Sequence, residues 1–219
     1  MPTDLVVVIP TVSGREDLLE RTKQGWRDSM RPGDPELRLV VVRDRVGIGR
    51  AWADGLRTAL ELEPRAGWVV LAADDTYPMP AVDQDDAGWF RVTVARALRG
   101  IYPSPHIVNA DGSVHSTGTM GAGMLVPGSL LSDDLPAGTS PFPFLLREWA
   151  RELLAAGIPD VHYYADDWVA WVVRRRFKVD PRTVRGYRLM HLEGSVARPA
   201  MQRRAMADRQ AVLDRMGEW

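Results

Sequence analysis

The first hundred residues alternate short apolar runs with longer amphipathic stretches, and this alternation limits the available folds more than any single motif does. "DLVVVIPT" is an unbroken Val/Ile run of the kind buried on both faces of a sheet. "GREDLLERTKQGWRD" follows with helical spacing at Leu18, Leu19, Thr22 and Trp26. "PELRLVVVRD" repeats the strand pattern, "GIGRAWADGLRTALELE" repeats the helix through Ile48, Trp52, Leu56 and Leu60, and "GWVVLAADD" supplies a third strand. Successive βα units predict a mostly parallel, helix-covered α/β sheet.

Beyond Gly100 this regularity ends. "RGIYPSPHIVNADGSVHSTGTMGAGMLVPG" is rich in Gly, Pro, Ser and Thr, with short β-prone pieces around the "NADGS" turn. Helical patterns return in "FPFLLREWARELLAAG" and "DDWVAWVVRRRF", then a strand-like "TVRGYRLMHL" and a closing amphipathic helix, "PAMQRRAMADRQAVLDRMGEW". The expectation is one unit over residues 1–219, in which a mixed half from 101 onward closes the sheet begun by residues 1–100. At 219 residues and 45% apolar, the chain can bury a substantial core. It has no cysteine, which excludes a disulfide framework, a thiolate nucleophile and a Cys-ligated metal. No run of about 18 apolar residues predicts a membrane span, and the acidic start "MPTDLVVVIP" does not read as a secretory leader. A cytoplasmic protein is the default expectation. The net charge of -1 gives no global pull toward a polyanion.

In an open α/β sheet, ligands bind outside the carboxyl ends of the strands. The three N-terminal strands end there in "PTVSGRED", in Arg43-Asp44-Arg45 and in Asp74-Asp75. Adjacent carboxylates at a strand end form a hard oxygen site, suited to Mg²⁺ or Mn²⁺ shared with substrate phosphates. They are equally able to turn the chain before Pro78. "YYADDWVAWVVRRRF" holds a second doublet: Asp166 reads as an N-cap and Asp167 as a first-turn acid. His191, in "YRLMHLEGS", is either a packing residue or a ligand at a strand end. His106, His115 and His162 make weaker candidates. The glycines of "GTMGAGMLVP" (Gly118 to Pro127) either let backbone amides approach a ligand or turn the chain into a strand with Met120 and Met124 in the core. "GIGRAWADG" lacks the spacing of a dinucleotide fingerprint. Arg174, Arg175 and Arg176 occupy successive helical positions and so point in different directions.

The order "VVVIPTVSGREDLLERT", a strand ending in Asp44, "GIGRAWADGLRTAL" and "GWVVLAADDTYP" resembles the N-terminal half of GT-A-fold, family-2-like glycosyltransferases. It differs from the usual pattern at Val12-Ser13, at Arg43-Asp44-Arg45 and in the triplet Ala73-Asp74-Asp75. The resemblance implies a GT-A-like, Rossmann-type three-layer sandwich. It places Pro10, Thr11 and Asp44 near a nucleoside, Gly47 and Gly49 in the loop before the second helix, Asp74 beside the donor, and Asp75 and His191 on Mn²⁺ or Mg²⁺. Gly121 and Ala122 would floor the donor sugar, Asp167 would be the general base and Asp166 its orienting neighbour. The implied reaction moves a sugar from a nucleotide sugar, a UDP-sugar first among them, to an acceptor hydroxyl with inversion. The acceptor would be a soluble glycan, a small molecule or a modified DNA base, without membrane insertion. A nucleotidyltransferase acting on a sugar phosphate, or a non-catalytic carbohydrate- or nucleic-acid-binding module, are the competing readings.

Overall fold

The computed structural model describes residues 4–44, 47–64, 66–79, 88–110, 112, 140–192 and 199–218. Strand β1 (Asp4–Thr11) is the spine of the first sheet, with five consecutive apolar residues, Leu5 to Ile9, fully shielded from water. Strands β2 (Glu36–Arg43) and β3 (Ala66–Leu71) flank it in parallel. Such two-sided burial is why the run carries no polar alternation. Helix α1 (Glu16–Asp28) buries Leu19, Thr22 and Trp26, and α2 (Ile48–Leu62) buries Trp52, Leu56 and Ala59. Gly55 allows α2 to approach closely, because a β-carbon there would collide with the Val8 side chain.

Strand β6 (Phe144–Leu146) completes this sheet, antiparallel to β3, in the order β2-β1-β3-β6. The sequence pattern assigns Phe144–Leu146 to a helix, but helix α4 begins only at Arg147 and runs to Ala156. A three-residue apolar run satisfies either periodicity, and here the open edge of β3 takes it as a pairing partner. The Arg147 guanidinium then donates to the carbonyls of Leu60, Glu63 and Ala66, covering the carboxyl end of α2.

A second sheet, β4-β7-β5, holds β4 (Thr76–Pro78) antiparallel and β5 (Tyr102–Asn109) parallel to the long β7 (Pro181–His191). Pro103 and Pro105 argue against a central strand in "YPSPHIVN", and β5 is an edge strand whose register shifts between Ser104 and His106. The strand-like reading of "TVRGYRLMHL" holds in β7. Helix α3 (Gly88–Ala97), which the sequence reading did not anticipate, lies against β7 with Trp89 stacked on Tyr187 at 5.6 Å. Aromatic contacts join the two sheets through α3: Trp26 meets Trp89, Trp68 meets Phe90 and Phe144, and Phe144 meets Tyr187. Each such pair contributes about 0.5–1.5 kcal/mol beyond its buried area. Helix α5 (Ala165–Phe177) packs on α4, and α6 (Pro199–Gly217) lies along α5.

Candidate active site

The two sheets meet at the turn Ala72–Asp75, between β3 and β4, and its backbone is fixed by side chains of the covering helices. Trp52 Nε1 donates to the Ala72 carbonyl at 2.9 Å, Thr22 Oγ1 to that of Asp74 at 2.7 Å, and Trp26 Nε1 to that of Thr76 at 2.8 Å. These bonds satisfy carbonyls that burial would otherwise leave orphaned. The carboxylates of Asp74 and Asp75 are nine-tenths buried and turn to different partners.

Asp74 faces the end of β1. Arg15 grips it with both oxygens engaged, Nε to Oδ2 at 2.9 Å and Nη2 to Oδ1 at 3.0 Å, while Thr11 Oγ1 donates to Oδ2 at 2.7 Å. A forked guanidinium is among the strongest hydrogen-bonding partners a carboxylate finds in a protein. Arg15 Nη2 also lies 3.8 Å from Asp75 Oδ2. The sequence reading missed Arg15, although a signal was present: it stands at the N-cap of α1, where it has no oxygen to offer the helix amides.

Asp75 faces the second sheet. Pairing of Thr76 with His191 across β4 and β7 brings the imidazole beside it, with His191 Nε2 3.1 Å from Asp75 Oδ2, and Leu192 N–H donates to the Asp75 carbonyl. On the other flank, Asn109 is paired with His191 across β5 and β7, and its Oδ1 lies 3.3 Å from His191 Nδ1. With a proton on Nδ1 directed at Asn109, Nε2 turns a lone pair toward the carboxylate. A carboxylate and an imidazole at this distance make a donor pair that would suit Mg²⁺ or Mn²⁺. Among the described residues, no group of three or more His, Cys, Asp or Glu side chains is placed to hold a metal.

Asp44 closes the turn after β1. It adopts a left-handed backbone (φ 54), its N–H donates to the Thr11 carbonyl, and its Oδ1 accepts from both Ser13 N–H and Ser13 Oγ at 2.8 Å. Those two donors, the hydroxyl first, hold its carboxyl below the usual range. Pro10 pairs in register with Val42 on the same rim. Gly47 and Gly49 serve packing at the start of α2: Gly49 N–H donates to the Val161 carbonyl, and a β-carbon on Gly49 would strike the Pro159 carbonyl. The loop leading into α5 is thereby docked on the mouth of α2, at the rim where β2 ends.

At that loop's end Asp166, expected as the N-cap, does not cap the helix. Tyr164, with φ 64, is the N-cap of α5, and Asp166 and Asp167 both lie in the first helical turn. Burial, and then the neighbouring Asp166 carboxylate, push Asp167 up to about 7. Asp167 lines a cavity of about 400 Å³ with Ala170, Trp171, Arg174, Arg175 and Met216. The three arginines diverge as expected: Arg174 Nε contacts Asp180 at 2.9 Å, Arg176 faces Glu152 at 3.6 Å, and Arg175 lies over the Trp171 ring.

His106 is half-buried opposite Arg188, and burial followed by that charge holds its imidazole below the ordinary value. His162 sits in the loop before α5, its backbone N–H donating to Asp208. Gly121, Ala122 and the rest of Gly118 to Pro127, with His115, lie outside the described residues.

No family model and no curated protein matches this chain. Solved structures do match. The catalytic domain of Drosophila β1,4-galactosyltransferase 7 in complex with xylobiose aligns with a TM-score of 0.51 at 10% identity, over 91% of this chain and 78% of that one. A variant of the same enzyme, in complex with manganese, UDP-Gal and xylobiose, gives 0.52 at 10% identity, over 96% and 79%. A197 from STIV aligns at 0.49 and 14% identity, over 90% and 97%. The mixed α/β architecture, with its two mixed sheets, matches the fold of the GT-A-type galactosyltransferase.

Proposed function

We propose that the chain is a glycosyltransferase that moves a sugar from a nucleotide diphosphate donor, a UDP-sugar foremost, to an acceptor hydroxyl. The observation that carries this reading is the opposition of Asp75 Oδ2 and His191 Nε2 at 3.1 Å, within reach of Arg15, at the joint of a GT-A-like fold. A bound Mn²⁺ or Mg²⁺ would neutralise charge developing on the departing diphosphate. Asp75 and His191 are the residues suited to hold it, with Arg15 keeping the Asp74 carboxylate compensated beside them. Thr11 and Asp44 would border the nucleoside end of the site.

Asp167 serves as general base. Its carboxylate takes the proton of the acceptor hydroxyl while that oxygen bonds to the anomeric carbon. The bond from that carbon to the donor phosphate breaks as its electron pair leaves with the nucleoside diphosphate, so the sugar carbon inverts. A base titrating near 7 is well matched to this work. Asp166, one position back, helps to hold its proton affinity up.

The test is release of UDP from UDP-sugars with Mn²⁺, compared with EDTA-treated protein. Turnover that depends on Mn²⁺ and falls about 10²–10⁴-fold in Asp167→Asn, with donor binding retained, is the expected outcome. Donor binding that ignores Mn²⁺, without turnover on any UDP-sugar, would instead mark a non-catalytic binding module.

A further inference from the structure

The cavity that Asp167 lines runs along one face of α5. Asp167, Ala170, Trp171, Arg174 and Arg175 follow the i, i+3, i+4, i+7, i+8 pattern of a single helical stripe, and Met216, from the last turns of α6, forms the opposite wall. The lining is chemically graded: a carboxylate at one end, a small residue and an indole in the middle, two guanidinium groups at the other end. Trp171 is stacked on Trp168 at 5.1 Å and 22°, and the Arg175 guanidinium lies 5.2 Å from the Trp171 ring centre, so the arginine head is held against a fixed aromatic surface. Arg174 meets Asp180 through Nε, and a guanidinium carries five N–H donors, so that contact uses one of them.

From this arrangement we propose that the cleft between α5 and α6 is an acceptor subsite for a hydroxyl compound bearing an anionic group, phosphate or carboxylate. This rests on the transfer reading, because it uses Asp167 as the group that meets the acceptor hydroxyl. Seven residues of helix separate Asp167 from Arg174, a rise of about 10 Å. One sugar ring spans that interval, with its hydroxyl hydrogen-bonded at one end and an anionic substituent in the guanidinium fork at the other. Ala170 leaves room beside the Trp171 ring for an apolar sugar face.

Calorimetric titration with glucose, glucose 6-phosphate, glucuronic acid and inorganic phosphate tests the assignment. The parent protein should bind at least one of the two anionic sugars 10-fold or more tighter than glucose; which of the two wins identifies phosphate or carboxylate as the recognised group. In the double variant Arg174→Gln/Arg175→Gln, whose substituted side chains are exposed and whose melting temperature serves as a folding check, that preference should fall to within about 2-fold. UDP binding with Mn²⁺ is measured on the same samples. If it persists while anionic and neutral sugars bind alike, or none of the four probes binds, the anionic subsite is wrong and the transfer reading stands. Equal discrimination in the double variant and the parent also overturns the subsite. If the discrimination holds but UDP with Mn²⁺ does not bind, the transfer reading falls instead.

Discussion

Arg15 and Asp74 form the tightest charge pair at the site, and the energetics of that pair govern what substitution can do there. The Asp74 side chain is about nine-tenths buried and Arg15 about two-thirds, so removing the guanidinium strands a carboxylate with Thr11 as its remaining side-chain donor among the described contacts. Arg15→Met should cost about 2 kcal/mol. At about 2–4 °C per kcal/mol for a chain of this size, thermal unfolding should show a loss of roughly 4–8 °C, and Asp74→Asn in the same chain should recover part of it. Asp167 carries the opposite sign. Its folded-state proton is held up to about 7, whereas in the unfolded chain it leaves near 4. Between those values the unfolded state releases its proton first, so stability falls as pH rises, and the penalty is complete above about 7. Asp167→Asn should therefore raise the melting temperature at pH 8 by a few degrees and leave it unchanged near pH 4. Activity should follow the reverse course, kcat/KM rising through an apparent pKa of about 7 as the base form appears. The acidic doublets are visible in the sequence. The pairing of Asp75 with His191 is reached only through the resemblance, and the parts of Arg15 and Asn109 are not legible, because they arrive from two other segments.

At the scale of elements, the N-terminal strands and helices are legible because periodicity and two-sided burial agree along "DLVVVIPT" and "GIGRAWADGLRTALELE". Where the sequence misleads, pairing geometry decides: β6 is a strand because β3 has an open edge, and β5 tolerates two prolines because it is itself an edge. One further tie is invisible without the fold. Asp208 of α6 accepts the backbone N–H groups of His162 and Tyr163 on a single oxygen, Oδ2, at 2.8 and 2.9 Å, and so anchors the loop that delivers Asp167. Asp208→Ala should cost about 1–2 kcal/mol and accelerate hydrogen exchange at those two amides, while Asp208→Asn, which keeps an acceptor oxygen, should lose less.

For the molecule as a whole, the site exists because two sheets with different registers are locked by one aromatic core, which places the end of β7 against the turn that leaves β3. No helix among the described residues is long and apolar enough to cross a membrane. The proposed transfer requires Asp75 and His191 together to hold a divalent cation shared with the donor's diphosphate. Titration of Mn²⁺ into the protein with UDP present measures this directly. Expected are one ion per chain, loss of that binding in Asp75→Asn, and a 10–100-fold weakening in Asn109→Ala through the freed imidazole. An Asp75→Asn protein that takes up Mn²⁺ and UDP as tightly as the parent would contradict it.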